Sequence, residues 1–225
     1  MPTRLELIAE PAEVVILSGD PRRTFRLAQE LVEEPRMTHL ARGLWGYGGK
    51  TAGGGNLTVQ STGAGGPGAV AVLSGLVEHG TSRVVRVGSC TAEVSDLALG
   101  DSLVVEAALA EDGSSAFFPD RDDEWSLPDR ELTEALATAG RLARVASRFR
   151  TDPPLREGGP AVSAFDLQTA ALLAAAREFG IRAGAVLVVS GTPDGSFATE
   201  EELTDPFLAA GRAALRALEA VGGTP

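Results

Sequence analysis

The sequence predicts an α/β fold, and three observations carry that expectation. Short runs rich in β-branched residues alternate with Ala- and Leu-rich stretches of helical length, the pattern of strands joined through helices. Clusters of Gly, Pro and Asp separate the two kinds of run. Ala and Gly are abundant while aromatic residues make up only 5% of the chain, which suits helices packed tightly on a sheet through small side chains. At 225 residues the chain can bury one large core, and no repeat or linker divides it, so residues 1–225 are read as one domain.

Taken in order, strands are expected at 13–19, 56–62, 82–89, 101–109, 143–149 and 183–191, each a short Val/Ala/Leu-rich run bounded by turn residues. Helices are expected at 21–33, 67–79, 129–140, 166–179 and 201–221. Pro67 suits the first turn of the second helix. Helix 166–179 opens on the acid Asp166 and closes at Gly180. Residues 110–128 read as a loop with buried aromatic anchors, and 150–161 as a Pro/Gly-rich connector.

Composition excludes several classes of function. A formal net charge of −11 opposes sequence-independent binding to nucleic acid or anionic membranes. An anion site must therefore be a local Arg cluster working against the global field. Cys90 is the only cysteine, so no intrachain disulfide forms, as in a reducing compartment. The first residues lack the apolar core of a signal peptide, and no apolar run approaches a membrane span. A cytoplasmic location is expected.

One motif suggests a dinucleotide. Gly63-x-Gly65-x-x-Gly68 follows a strand-like run and opens a helical one. The next strand, 82–89, ends in Gly88-Ser89 rather than the carboxylate that would hold a ribose, and an earlier strand precedes the motif. The glycines are better explained by a helix starting tight against a strand. The cations are more telling. Arg23 follows the first strand, Arg42 lies in a Gly-rich turn, and Arg86 sits inside an apolar strand that ends at Ser89. A buried Arg needs an anion, whether a buried carboxylate of the chain or a bound phosphate. Open α/β sheets bind ligands at the carboxyl ends of their strands, where these residues fall.

Five motifs then resemble, in order and spacing, the nucleoside phosphorylases of the hexameric purine nucleoside and uridine phosphorylase type. They are GDPRR (19–23), RGLWGYGG (42–49), STGAGGPG (61–68), RVGSC (86–90) and FDLQTAA (165–171). The resemblance runs from about Val14 to the C-terminus. It implies a three-layer sandwich, a twisted mixed sheet flanked by helices. It implies phosphorolysis of a purine or pyrimidine nucleoside, or a modified one, to free base and pentose 1-phosphate. Inorganic phosphate is then the co-substrate, with no cofactor and no metal. Phosphate would be held by the Gly19 backbone, Arg23, Arg86 and Ser89, with Arg86 at the reacting centre. Arg42 would come from a neighbouring subunit, so a homo-oligomer with a dimer as its minimal unit, and possibly a hexamer, is implied. The nucleoside would meet Ala64, Thr91, Phe165, Asp166, Leu167 and Gln168.

The nucleoside side departs from the family. Gln168 stands where a Glu grips the ribose hydroxyls, and Thr91 where a Gly floors the base pocket. Ser190-Gly191 replaces the Ser-Asp pair whose Asp protonates a purine. Asp194 is a turn residue able to move into that role, His39 an ordinary or interface histidine, and His79 a helix-end surface residue. Two other functions stay open. One is a nucleoside hydrolase, and the other a non-catalytic homologue that binds phosphate or a phosphorylated ligand.

Overall fold

A computed structural model describes residues 7–118, 124–149 and 161–222. The described strands, in chain order, are β1 (Val14–Ser18), β2 (Glu33–His39), β3 (Gly46–Lys50), β4 (Asn56–Ser61), β5 (Arg83–Ala92), β6 (Ser102–Ala110), β7 (Trp125–Ser126), β8 (Arg141–Ser147), β9 (Ala164–Asp166) and β10 (Arg182–Gly191). The helices are α1 (Pro21–Leu31), α2 (Gly66–Glu78), α3 (Arg130–Leu136), α4 (Thr169–Glu178) and α5 (Thr204–Ala220). All six expected strands and all five expected helices are present, and the sheet is mixed with helices on both faces.

Alternation along the central strands explains the layers. On β1, Val15 and Leu17 join the core beneath α2 and α4, while Ile16 joins the core beneath α1, α3 and α5. On β10, Leu187 and Val189 face the first core, and Val186 and Val188 the second. Both faces are apolar because both are covered, as in parallel sheets of α/β proteins. β1 pairs in parallel with β4 and β5, and β5 pairs in parallel with β10. β10 then runs antiparallel to β6, β6 and β8 are parallel, and β9 bridges β8 back to β5. Five strands therefore close on themselves at one end of the sheet, and the short β9 is the closing piece.

The structure corrects several expected boundaries. Strands β2 and β3 were not expected. They form a hairpin at the sheet edge, where the Pro and Gly they contain are tolerated. Helix α4 begins at Thr169 instead of residue 166, because Ala164–Asp166 is drawn into the sheet as β9. Helix α3 ends at Leu136, four residues early, since β8 already begins at Arg141. In the loop after β6, Phe118 is buried but Phe117 is exposed, so only one of that pair is an anchor. Residues 150–160 of the expected connector lie outside the described residues. No helix among the described residues is long and apolar enough to cross a membrane.

The two histidines settle into structural roles. His39 is buried, with its Nδ1 hydrogen-bonded to the Leu44 carbonyl in the β2–β3 hairpin. His79 caps the end of α2 at the surface, with Nδ1 2.9 Å from the Glu10 carboxylate.

Candidate active site

The carboxyl ends of β1, β5 and β10 open into a cleft of about 780 Å³, a size suited to a small organic ligand. Gly19, Arg23, Ala64, Arg86, Ser89, Thr91, Phe165, Asp166, Leu167 and Gln168 all line it. Of the phosphate- and nucleoside-binding residues that the resemblance implies, Arg42 alone is not among the lining residues. It is exposed on the turn between β2 and β3, in a left-handed conformation with φ +60°.

Local sequence places Arg23. After β1 the chain turns at Gly19, and the Asp20 side chain caps α1 by accepting from the Arg22 and Arg23 amides at 2.8 and 3.0 Å. Pro21 at the first helical position fixes the entry. Arg23 therefore projects from the first turn, across the cleft mouth. Its Nη1 donates to Ser89 Oγ at 3.2 Å, and its Nε and Nη2 donate to the two carboxylate oxygens of Glu200 at 3.0 and 2.5 Å. The guanidinium also lies 4.2 Å from the ring centroid of Phe207 on α5. These bonds hold the Glu200 carboxyl below the usual carboxylate range.

Arg86 is 3% exposed and carries a carboxylate of the chain. Its Nη2 donates to Asp166 Oδ2 at 2.9 Å and its Nε to Thr169 Oγ1 at 3.0 Å. The pair exists because β9 slots between β8 and β5, setting Asp166 beside a residue 80 positions away. Gly88 makes the contact possible. A Cβ there would lie 2.5 Å from the Arg86 guanidinium carbon, so only a hydrogen lets the side chain fold back along its own strand. Asp166 in turn accepts from Ser147 Oγ at 2.6 Å and from the Thr169 hydroxyl at 2.6 Å, and it receives the Thr169 amide at the start of α4. Asp166, which also lines the cleft, is thus tied into an internal network. One buried donor, Arg86 Nη1, has no hydrogen-bond partner among the described residues.

The Gly63-x-Gly65-x-x-Gly68 stretch forms the opposite wall. Gly63 and Gly65 have φ of +70° and +83°, which turns the chain from β4 into α2. A Cβ on Gly68 would meet the Thr62 carbonyl at 2.5 Å, so the helix starts hard against the strand end, as the sequence suggested. Ala64 is exposed in the cleft.

Gln168 is held in this wall. It is 4% exposed, its Oε1 accepts from the Thr62 hydroxyl at 2.7 Å, and its Nε2 donates to the Gly63 carbonyl at 3.0 Å. A carbonyl can only accept, so the amide nitrogen must face Gly63 and the amide orientation is fixed. This predicts the cost of a Glu here. Gln168→Glu would set a carboxylate oxygen against the Gly63 carbonyl and should lower unfolding stability by about 1–3 kcal/mol in urea. An unchanged urea midpoint would show that the side chain simply turns out of the wall.

The far side of the cleft is aromatic. Phe165 is buried, while Phe149 and Phe197 are mostly exposed, and Leu167 is partly so. Phe197 lies over Gly191, where a Cβ would come within 2.7 Å of its ring. Thr91 is half-buried, and its methyl lies 3.3 Å from the same notional Cβ. Ser190 Oγ donates to the Cys90 carbonyl at 3.1 Å. Asp194 accepts from Thr192 Oγ1 at 2.7 Å and from the Ser196 amide at 3.1 Å, which lowers its pKa and holds it ionised in a surface turn. Burial, with Asp166 nearby and Arg86 only partly offsetting it, pushes the Cys90 thiol far above its ordinary range.

Among the lining or flanking residues, Phe149, Phe197 and Glu200 escaped the sequence. Phe149 closes a predicted strand and Phe197 is a lone aromatic in a polar loop. Glu200 sits in the acidic run TEEEL, which reads as ordinary helix-entry charge.

The chain belongs to the phosphorylase superfamily, whose family model matches residues 13–164. It is similar to the DeoD-type purine nucleoside phosphorylase of Oceanobacillus iheyensis, 28% identical over 80% of this chain and 83% of that protein. It is also similar to the enzyme of the same description from Alkaliphilus metalliredigens, 28% identical over 93% of this chain and 96% of that protein. The fold matches the crystal structure of purine nucleoside phosphorylase from Toxoplasma gondii in complex with immucillin-H, at a TM-score of 0.81 and 21% identity. That match covers 93% of this chain and 91% of the other.

Proposed function

We propose that the cleft carries out phosphorolysis of a nucleoside, releasing the free base and pentose 1-phosphate. The observation that carries this reading is the convergence of Gly19, Arg23, Arg86 and Ser89 at the strand ends, in one cleft with room for a sugar and a base. The purine nucleoside phosphorylases similar to this chain support the reaction class.

In this reading an oxygen of inorganic phosphate attacks the anomeric carbon as the glycosidic C–N bond breaks, and the bonding pair leaves with the base. Positioned guanidiniums orient the phosphate, whose charge stabilises the oxocarbenium-like sugar. The unpartnered Arg86 Nη1 is a donor for a phosphate oxygen, and Asp166 with Thr169 holds the guanidinium in place. Ala64 and Leu167 border the sugar, and the three phenylalanines border the base. Arg42, exposed and not among the residues lining its own cleft, is assigned to the cleft of a neighbouring copy.

The test is a panel of purine and pyrimidine nucleosides with and without phosphate, read as sugar 1-phosphate by phosphorus NMR. Phosphate-dependent sugar phosphate from at least one nucleoside is expected. A specific observation favours a second reading, a nucleoside hydrolase: Arg23 and Arg86 both already hold carboxylates. Base release at the same rate without phosphate would establish the hydrolase. No base release across the whole panel, together with calorimetric binding of phosphate, would instead support the non-catalytic binder.

A further inference from the structure

We infer that Glu200 is a competing ligand for the phosphate-binding guanidinium of Arg23 and sets the affinity of the cleft for phosphate. This rests on the phosphate site proposed above. The Glu200 carboxylate takes both forward donors of Arg23, Nε at 3.0 Å and Nη2 at 2.5 Å, in the fork geometry that an oxyanion would use. Ser89 holds the remaining arm. Phosphate and Glu200 therefore cannot both take that fork.

The pairing is built to open. The Glu200 side chain is 64% exposed, whereas that of Arg23 is 16% exposed and packed on Phe207. The backbone around Glu200 is fixed independently of the pair. Thr204 Oγ1 donates to the Glu200 carbonyl at 2.9 Å, and the Glu202 carboxylate receives the Thr199 amide at 2.7 Å. Glu200 can thus rotate into water without moving the turn, while Arg23 stays aimed at Ser89. A second carboxylate, Asp20, already lies beside the same guanidinium's helix turn, and Asp166 neutralises Arg86. A phosphate dianion entering beside Glu200 meets repulsion as well as competition.

The test is a calorimetric titration of inorganic phosphate into the intact protein and its E200Q and E200A variants at constant ionic strength. Both variants should bind phosphate more tightly, on the order of fivefold, the worth of one well-formed exposed ion pair. Steady-state kinetics should show the same fall in half-saturating phosphate and no change for the nucleoside. Circular dichroism checks that the exposed substitution leaves the fold intact. Affinity equal to or weaker than that of the unaltered protein would overturn the inference, since Glu200 would then be a bystander or would position Arg23. Failure of all three proteins to bind phosphate would instead overturn the phosphate site itself, and this inference with it.

Discussion

A purine nucleoside methylated at N7 should be cleaved at least about 100-fold faster than its unmethylated parent, because general acid catalysis to a leaving group contributes roughly 10²–10⁴-fold where it operates. A neutral purine leaves as an anion unless it is protonated. N7 methylation makes the base cationic, so it leaves neutral and needs no acid. The aromatic side of the cleft, to which the proposed function assigns the base, offers no acid among the described residues. Gly191 has no side chain, and the ring of Phe197 fills the space beside it. Asp194 is held ionised by Thr192 and Ser196, so it carries no proton to give at neutral pH. The Cys90 thiol stays protonated but is too weak an acid to help. The Ser190 and Thr192 hydroxyls already donate elsewhere. Three phenylalanines are a favourable surface for a cationic ring. The measurement is the initial rate with 7-methylinosine and with inosine at saturating phosphate. Equal rates would mean that a donor does reach the base.

Asp166→Ala should cost about 3–5 kcal/mol of unfolding free energy, the penalty for leaving one partner of a buried ion pair uncompensated. Arg86 is 3% exposed and Asp166 5%, so the pair is almost wholly withdrawn from water. The cost spreads further, since Asp166 also receives Ser147 and the first turn of α4. Equilibrium urea unfolding gives the number. The control is the double replacement Arg86→Met with Asp166→Leu, which removes both charges and should recover part of the loss. A loss below about 1 kcal/mol for Asp166→Ala would show that water reaches the pair.

Much of this structure can be read from the chain alone. The central strands announce themselves because burial on both faces demands uninterrupted Val, Ile and Leu, as in VVILS and AVLVV. The edge hairpin does not. Glu33, Glu34 and Pro35 open β2, and three glycines fill β3, residues that an edge accepts and a propensity argument rejects. Strand β9 is hidden for a different reason. Asp166 does serve the start of α4, as an acid at a helix start should, but from inside the sheet three residues earlier. In the site, the end-of-strand cations were visible because a charge inside an apolar run is anomalous. Their partners were not, since Asp166 and Glu200 reach Arg86 and Arg23 only through strand order and the turn before α5.

The space beside Gly88 ties three distant positions to a common history. A methyl group at 88 would strike the Arg86 guanidinium, and losing that guanidinium strands Asp166. The order in which a lineage acquires changes here is therefore constrained. Residue 88 can enlarge only if the Arg86 guanidinium moves or is lost, and the loss of either Arg86 or Asp166 alone leaves the other buried without its partner. Neither charge is a cheap first step, so the two are expected to change together, as neighbours whose effects do not add. Drift could erode the aromatic side of the cleft one residue at a time, whereas the members of this corner constrain one another.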